Sequence, residues 1–192
     1  REALRLAFEH HKSLAVGLRG VQKVRDISEA FTQSGSGATL VNVQDLGMIV
    51  GSGGVLSHAP RRAQSALMML DSFLPEFFTK LAVDSIFMMP HLGVLSTINP
   101  EASQQVFDRD CLIHLGTAMA PSGTAKEGEE CVTVKVTTSA GKTHEVKATY
   151  GSIHVVPLAE NETAEVVARP SRNFDLGKGK GHEVHQTIQG GT

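Results

Sequence analysis

Residues 47–60 read GMIVGSGGVLSHAP, and no other stretch restricts the fold as much. An apolar run, Met48 to Val50, meets Gly51, Gly53 and Gly54 within four positions. Pro60 suits the first turn of a helix, where its missing N–H costs nothing. Ala63, Ala66, Leu67 and Leu70 then recur at i, i+3, i+4 and i+7, the spacing of one helix face. Strand, bare turn and helix in that order make a βα unit. Glycine there serves one of two ends. Either the backbone turns tightly, or a ligand comes close to a main chain that carries no Cβ. A helix behind such a loop turns free N–H groups and its positive dipole end towards it, which suits a nucleotide. The spacing is not that of the dinucleotide fingerprint, whose third glycine would fall on Leu56. It is not a P-loop either, because no Lys-Ser/Thr follows.

The surrounding sequence extends this α/β character. Residues 2–18 carry a helical stripe of Leu4, Ala7, Phe8, Leu14, Ala15 and Leu18, interrupted by His11. TQSGSGAT, 32–39, reads as a flexible loop. KLAVDS, 80–85, is a second short buried strand, and PHLGVLS, 90–96, a helix opening on Pro90. Asn99-Pro100 is a cap followed by a first-turn proline, so a further helix is expected over 100–109. The pattern changes near residue 110. Val132, Val134 and Val136 alternate with Thr133, Lys135 and Thr137, SAGK at 139–142 is a turn, and Val146, Ala148 and Tyr150 alternate again. Ile153–Val156, Ala164–Arg169 and 183–189 supply further strands. The expected fold is α/β over 1–110, followed by a small, mainly antiparallel β domain over 111–192.

With 192 residues, 41% of them hydrophobic, the chain buries a core without disulfides or a structural metal. A net charge of -2 gives no global electrostatic case for nucleic acid or an anionic membrane. No apolar run approaches the ~20 residues that cross a bilayer, and no signal-peptide pattern opens the chain. Arg1 stands first with a helical pattern starting at once, so the chain reads as a piece of a longer protein. Cys111 and Cys131 are too few for a disulfide framework and read as free thiols of a reducing cytoplasm. The chain has no tryptophan and 5% aromatic residues, which disfavours a stacking platform for bases or sugars.

Other motifs carry less chemistry. Gly141-Lys142-Thr143 has the tail of a P-loop, but Val136 holds the required earlier glycine position and alternating strands flank it, so it reads as a hairpin turn. HEVH, 182–185, is one residue short of the zincin spacing and sets its histidines on opposite faces of a strand. They read as surface histidines rather than metal ligands, as do His10 and His11. DLGKGKGHE, 175–183, is a basic glycine loop that either cradles an anion or connects strands. Arg61 and Arg62 sit where a phosphate is within reach or lie in a solvated first turn. No Ser-His-Asp set or carboxylate pair can be assembled from spacing.

GMIVGSGGVLSHAP is similar to the adenosine-binding motif of the acetate kinase/sugar kinase/Hsp70/actin superfamily, with Met48 to Val50 as the strand and Gly53-Gly54 as the pair. Longer segments, VGSGGVLSHAPRRAQSALMMLD, LAVDSIFMMPHLGVLS and RPSRNFDLGKGKGHEVHQTIQGGT, resemble the C-terminal part of the glutamate mutase L family, which is unrelated to the mismatch-repair protein of similar name. The resemblance covers most of the chain. It implies a C-terminal actin-like ATPase half-domain in which Gly51, Ser52, Gly53 and Gly54 line the adenosine side of ATP, with Arg61 as a further contact. It implies an accessory, reactivating role towards adenosylcobalamin-dependent mutase subunits. The superfamily's first phosphate loop and its acidic residues for Mg²⁺ lie in an N-terminal half that nothing here matches. The isolated chain is therefore expected to bind ATP weakly and not to hydrolyse it. The rivals are a small-molecule kinase or ATP-dependent amidohydrolase of the same superfamily, and an interaction module whose glycines only make a turn.

Overall fold

The computed structural model describes residues 1–15 and 40–192. The 32–39 loop and Leu18 lie outside the described residues. Strands β1 (Met48–Gly51) and β2 (Phe77–Asp84) run parallel, with Met48 to Gly51 opposite Lys80 to Val83. Parallel neighbours need a long crossover. Here it consists of a one-turn helix, α2 (Gly54–Ser57), and then α3 (Arg62–Phe73). Strand β3 (Leu112–Ala120) pairs antiparallel with the other side of β2, giving the order β1-β2-β3. The first sheet thus continues past residue 110.

The core of this layer is Leu56, Met69, Leu81 and Val83, with Ile49, Ala66 and Ile113 packed around it. Helix α1 (Glu2–Leu14) lies against α3, its Phe8 ring edge-on to Phe73 at 5.1 Å. Leu4 of its stripe reaches the core margin, whereas Leu14 is exposed. The buried face of α3 differs from the expected stripe. Ser65, Met69 and Ser72 are buried, while Ala63 and Leu67 are exposed. The serines go inside because their hydroxyls donate to main-chain carbonyls, Ser65 to Leu56 at 2.7 Å and Ser72 to Arg1 at 3.1 Å. Pro60 precedes α3 rather than entering its first turn.

After β2 come α4 (Met89–Ser96), with Pro90 in its first turn, and α5 (Pro100–Val106). Asn99 caps α5, its Oδ1 accepting from Ala102 N at 3.0 Å. The helix expected to run to 109 is α-helical only to Val106, and Phe107–Cys111 wind as a wider π turn leading into β3.

The remaining chain forms a four-stranded antiparallel sheet and a short ribbon. Strands β5 (Glu130–Thr138), β6 (Thr143–Thr149), β7 (Thr163–Pro170) and β9 (Val184–Gln189) lie in the order β6-β5-β7-β9. The two-residue strands β4 (Ser122–Gly123) and β8 (Phe174–Asp175) pair beside them. The expected alternation holds: Val132, Val134, Val136, Ala164, Val166 and Ala168 point inward onto Phe174, Leu176 and Val184. Ile153–Val156 is not a strand. It pairs with no neighbour, Ile153 is 62% and Val155 83% exposed, and Pro157 behind it has no N–H to give a ladder. The chain end returns to the first sheet, where Thr192 N donates to His114 O at 3.0 Å. Among the described residues no helix is long and apolar enough to cross a membrane.

Candidate functional site

The parallel strands end side by side at Gly51 and Asp84, and the loops leaving those ends form the candidate site. In open α/β sheets this carboxyl edge is where ligands bind. The three glycines do different things there. Gly51 is buried; a Cβ on it would lie 2.9 Å from Met69 Sδ and 3.0 Å from Leu56 Cδ1, so its bareness lets α2 and α3 close over the strand end. Gly53 has φ 94°, in the left-handed region that favours glycine. Nothing lies within 4 Å of where a Cβ would stand on Gly53 or on Gly54. That pair presents bare main chain to open space.

Ser52 does not point its hydroxyl outward. It donates to Asp84 Oδ2 at 3.2 Å. Asp84 is fully buried, and sequence reasoning passed over it as a strand end. Its Oδ1 accepts from Met88 N at 3.0 Å and its Oδ2 from Met89 N at 2.9 Å, the first amides of α4. Its carbonyl accepts from the Ser57 hydroxyl. Burial pushes the Asp84 carboxyl up, but the amides of Met89 and Met88, the Ser52 hydroxyl and the Ile86 amide together hold it below the ordinary aspartate value. A signal was present in the sequence: an acid ends an apolar strand just before a proline-opened helix, where a carboxylate satisfies free N–H groups.

The two arginines separate. Arg61 enters α3 with its N–H donating to Gln64 Oε1 at 3.2 Å, and it is exposed. Arg62 folds back, its Nη1 donating to Ser57 O at 2.8 Å. An open groove of about 640 Å³ is bordered by Gly54, Val55, His58, Pro60, Leu67 and Asp71, and neither Arg61 nor Arg62 lines it.

A family profile described as MutL protein matches residues 1–111, more than half of the chain. The chain belongs to the glutamate mutase L family. No curated protein and no solved structure matches it. Family membership ties the chain to glutamate mutase. The region typical of glutamate mutase L runs from α1 to the π turn and so contains the glycine loop, Asp84 and both arginines.

The other motifs lie elsewhere. The basic loop at 175–183 falls outside the stretch matched to glutamate mutase L, at the opposite end of β2 from Asp84: a Cβ on Gly177 would be 3.4 Å from the Phe77 ring. Its amides turn inward, Gly177 N and Gly179 N both donating to Asp175 Oδ1, at 2.7 and 2.8 Å. The structure therefore does not bring this loop to the glycine pair. His182 and His185 are exposed, and His185 Nε2 meets Glu183 Oε1 at 2.7 Å. Among the described residues no cluster of three metal-ligating side chains occurs. Gly141 sits in the β5–β6 hairpin turn with φ 81°. His10 and His11 are exposed on α1. Cys111 and Cys131 are buried, unbridged thiols. Burial pushes both up, with Asp84 and Asp110 adding to the effect at Cys111 and Glu129 at Cys131.

Proposed function

We propose that this chain is the adenosine-facing wall of an actin-like, ATPase-type accessory protein that reactivates an adenosylcobalamin-dependent mutase of the glutamate mutase kind. The reading rests on one observation: Gly53 and Gly54 stand bare and unobstructed at the carboxyl edge of two parallel strands. A purine nucleoside lies flat against main chain only where no Cβ holds it away. In this reading adenine and ribose lie along Gly53-Gly54, and the exposed Arg61 reaches towards the phosphates. Gly51 and Ser52 serve from beneath, Gly51 by packing and Ser52 through its hydrogen bond. The groups that hold Mg²⁺ and drive hydrolysis come from outside this chain, which by itself does not turn over ATP. Nucleotide binding and release move two halves about the cleft, and that motion acts on a bound mutase to free damaged cobalamin. The four-stranded sheet, an addition to the ATPase layer, faces the mutase.

Calorimetric titration of ATP into the protein carrying this chain tests the reading. Gly54→Leu fills open space without touching the core, so ATP affinity drops at least about tenfold, the scale of ~1.4 kcal/mol, with Tm unchanged. Unaltered affinity in Gly54→Leu overturns the proposal. For the mutase, co-purification that persists unchanged when residues 121–192 are removed takes the partner role away from the β region.

A further inference from the structure

We propose that Asp84 is the positioning residue of the glycine loop, fixing the bare pair in place through Ser52 and the start of α4. Its relevance to nucleotide rests on the reading above; the positioning itself rests on geometry alone. Asp84 is the one charged side chain among the buried residues described, and no cation pairs with it among the described residues. A buried, unpaired carboxylate is costly unless hydrogen bonds replace its water. They do so here in a particular arrangement. Oδ2 accepts from both Ser52 Oγ and Met89 N, so loop and helix meet at a single oxygen atom. The carbonyl of the same residue accepts from Ser57 Oγ. Residues 52 and 57 bracket Gly53-Gly54, and both of these shoulders are tied to residue 84.

A carboxylate needed only to cap α4 belongs at its N-cap, the usual place for Asp or Ser. That position holds Met88, which makes no side-chain cap. The acid comes instead from the strand flanking the glycine loop. Glycine is the most freely moving residue type in a backbone, so a bare pair offers a defined surface only if its flanks are held. Being fully buried, Asp84 acts through the loop and not by touching a ligand.

Hydrogen–deuterium exchange on the whole protein, read beside ATP titration, tests this. Ser52→Ala removes the loop tie and keeps the α4 cap. Amide exchange over 56–58, whose N–H groups donate to Gly53 O and Gly54 O, then rises about tenfold, the scale of one hydrogen bond to a charged group, while exchange over 88–92 does not change. ATP affinity falls about fivefold, and Ser52→Thr restores both readouts. Asp84→Asn quickens exchange in both segments. Should Asp84→Asn not fold, Ser52→Ala decides alone. Exchange over 56–58 equal to wild type in Ser52→Ala overturns the positioning role, whatever happens to ATP. If the exchange pattern appears but the wild-type protein binds no ATP, the nucleotide reading falls and the positioning role stands.

Discussion

The two sheets are held together by different means. In the four-stranded sheet the inner positions of β5 and β7 are Val132, Val134, Val136, Ala164, Val166 and Ala168, and Thr138 is its one buried polar residue among those described. The three-stranded layer buries Ser57, Ser65, Ser72, Thr79, Asp84 and Ser103. Each of the five hydroxyls donates to a distant backbone carbonyl: Asp84, Leu56, Arg1, Leu46 and Leu92 in turn. The layer also leaves large apolar side chains in the open, among them Val55, Leu67, Ile86, Phe87 and Val94, whereas beyond residue 110 only Tyr150, Ile153 and Val155 are so exposed. Valines facing valines stabilise without specifying where any loop stands. A hydroxyl bonded to one carbonyl specifies position, because leaving it unpaired in the interior is costly. The second kind of construction is the one found around Gly53-Gly54.

The largest effect belongs to the apolar region. Phe174 is 2% exposed, with its ring against Gly123 and 6.2 Å from Tyr150. Phe174→Ala costs about 3–5 kcal/mol by urea denaturation. A loss under about 1 kcal/mol would break the comparison, because the sheet would then not depend on its apolar core.

Next comes the polar layer. Asp84→Ala strands the Met88 and Met89 amides and the Ser52 hydroxyl, at about 2–4 kcal/mol in the same assay. The sign with pH follows from its depressed carboxyl. The stabilisation is fully present above the unfolded aspartate value, about 3.9, and disappears as pH falls through the lower folded value. The wild-type urea midpoint accordingly drops on acidification below about pH 4, and Asp84→Asn flattens that limb. An equally steep limb in Asp84→Asn places the acid sensitivity in other carboxylates and blunts the contrast between the layers.

What was legible in the sequence follows the same division. β5, β6 and β7 were readable because alternation is written residue by residue, and α4 and α5 because Pro90 and Asn99-Pro100 are local signals. Ile153–Val156 has β-branched content but no partner strand, and content alone cannot supply one. The allegiance of β3 was hidden: its residues do not alternate, and its partner β2 lies far upstream. The buried face of α3 is not legible from hydropathy, which ranks serine outside, although a serine with a carbonyl in reach buries readily. At the site, the bare turn was visible but the ties that hold it were not. Ser52 and Asp84 are 32 residues apart, and nothing in the spacing says they meet.

The smallest effects sharpen the comparison most, because they separate three glycines that look alike in the sequence. In Gly51→Ala the new methyl meets Met69 Sδ and Leu56 Cδ1. Both are flexible side-chain ends that can give way, so the cost is about 1–2 kcal/mol. Gly53→Ala meets no atom, but its φ of 94° with ψ of 160° is a conformation essentially reserved for glycine, and the substitution costs about 1–3 kcal/mol. Gly54→Ala meets neither obstacle, since it stands at the start of α2 with open space around it. Its stability stays within about 0.5 kcal/mol of wild type in either direction. Urea midpoints therefore set the surface position, Gly54, apart from the packing position, Gly51, and the turn position, Gly53. A Gly54→Ala cost equal to that of Gly51→Ala would mean that the pair is held under other groups. The loop would then be a tight turn and nothing more, and the polar ties around it would be fixing a turn that meets no ligand.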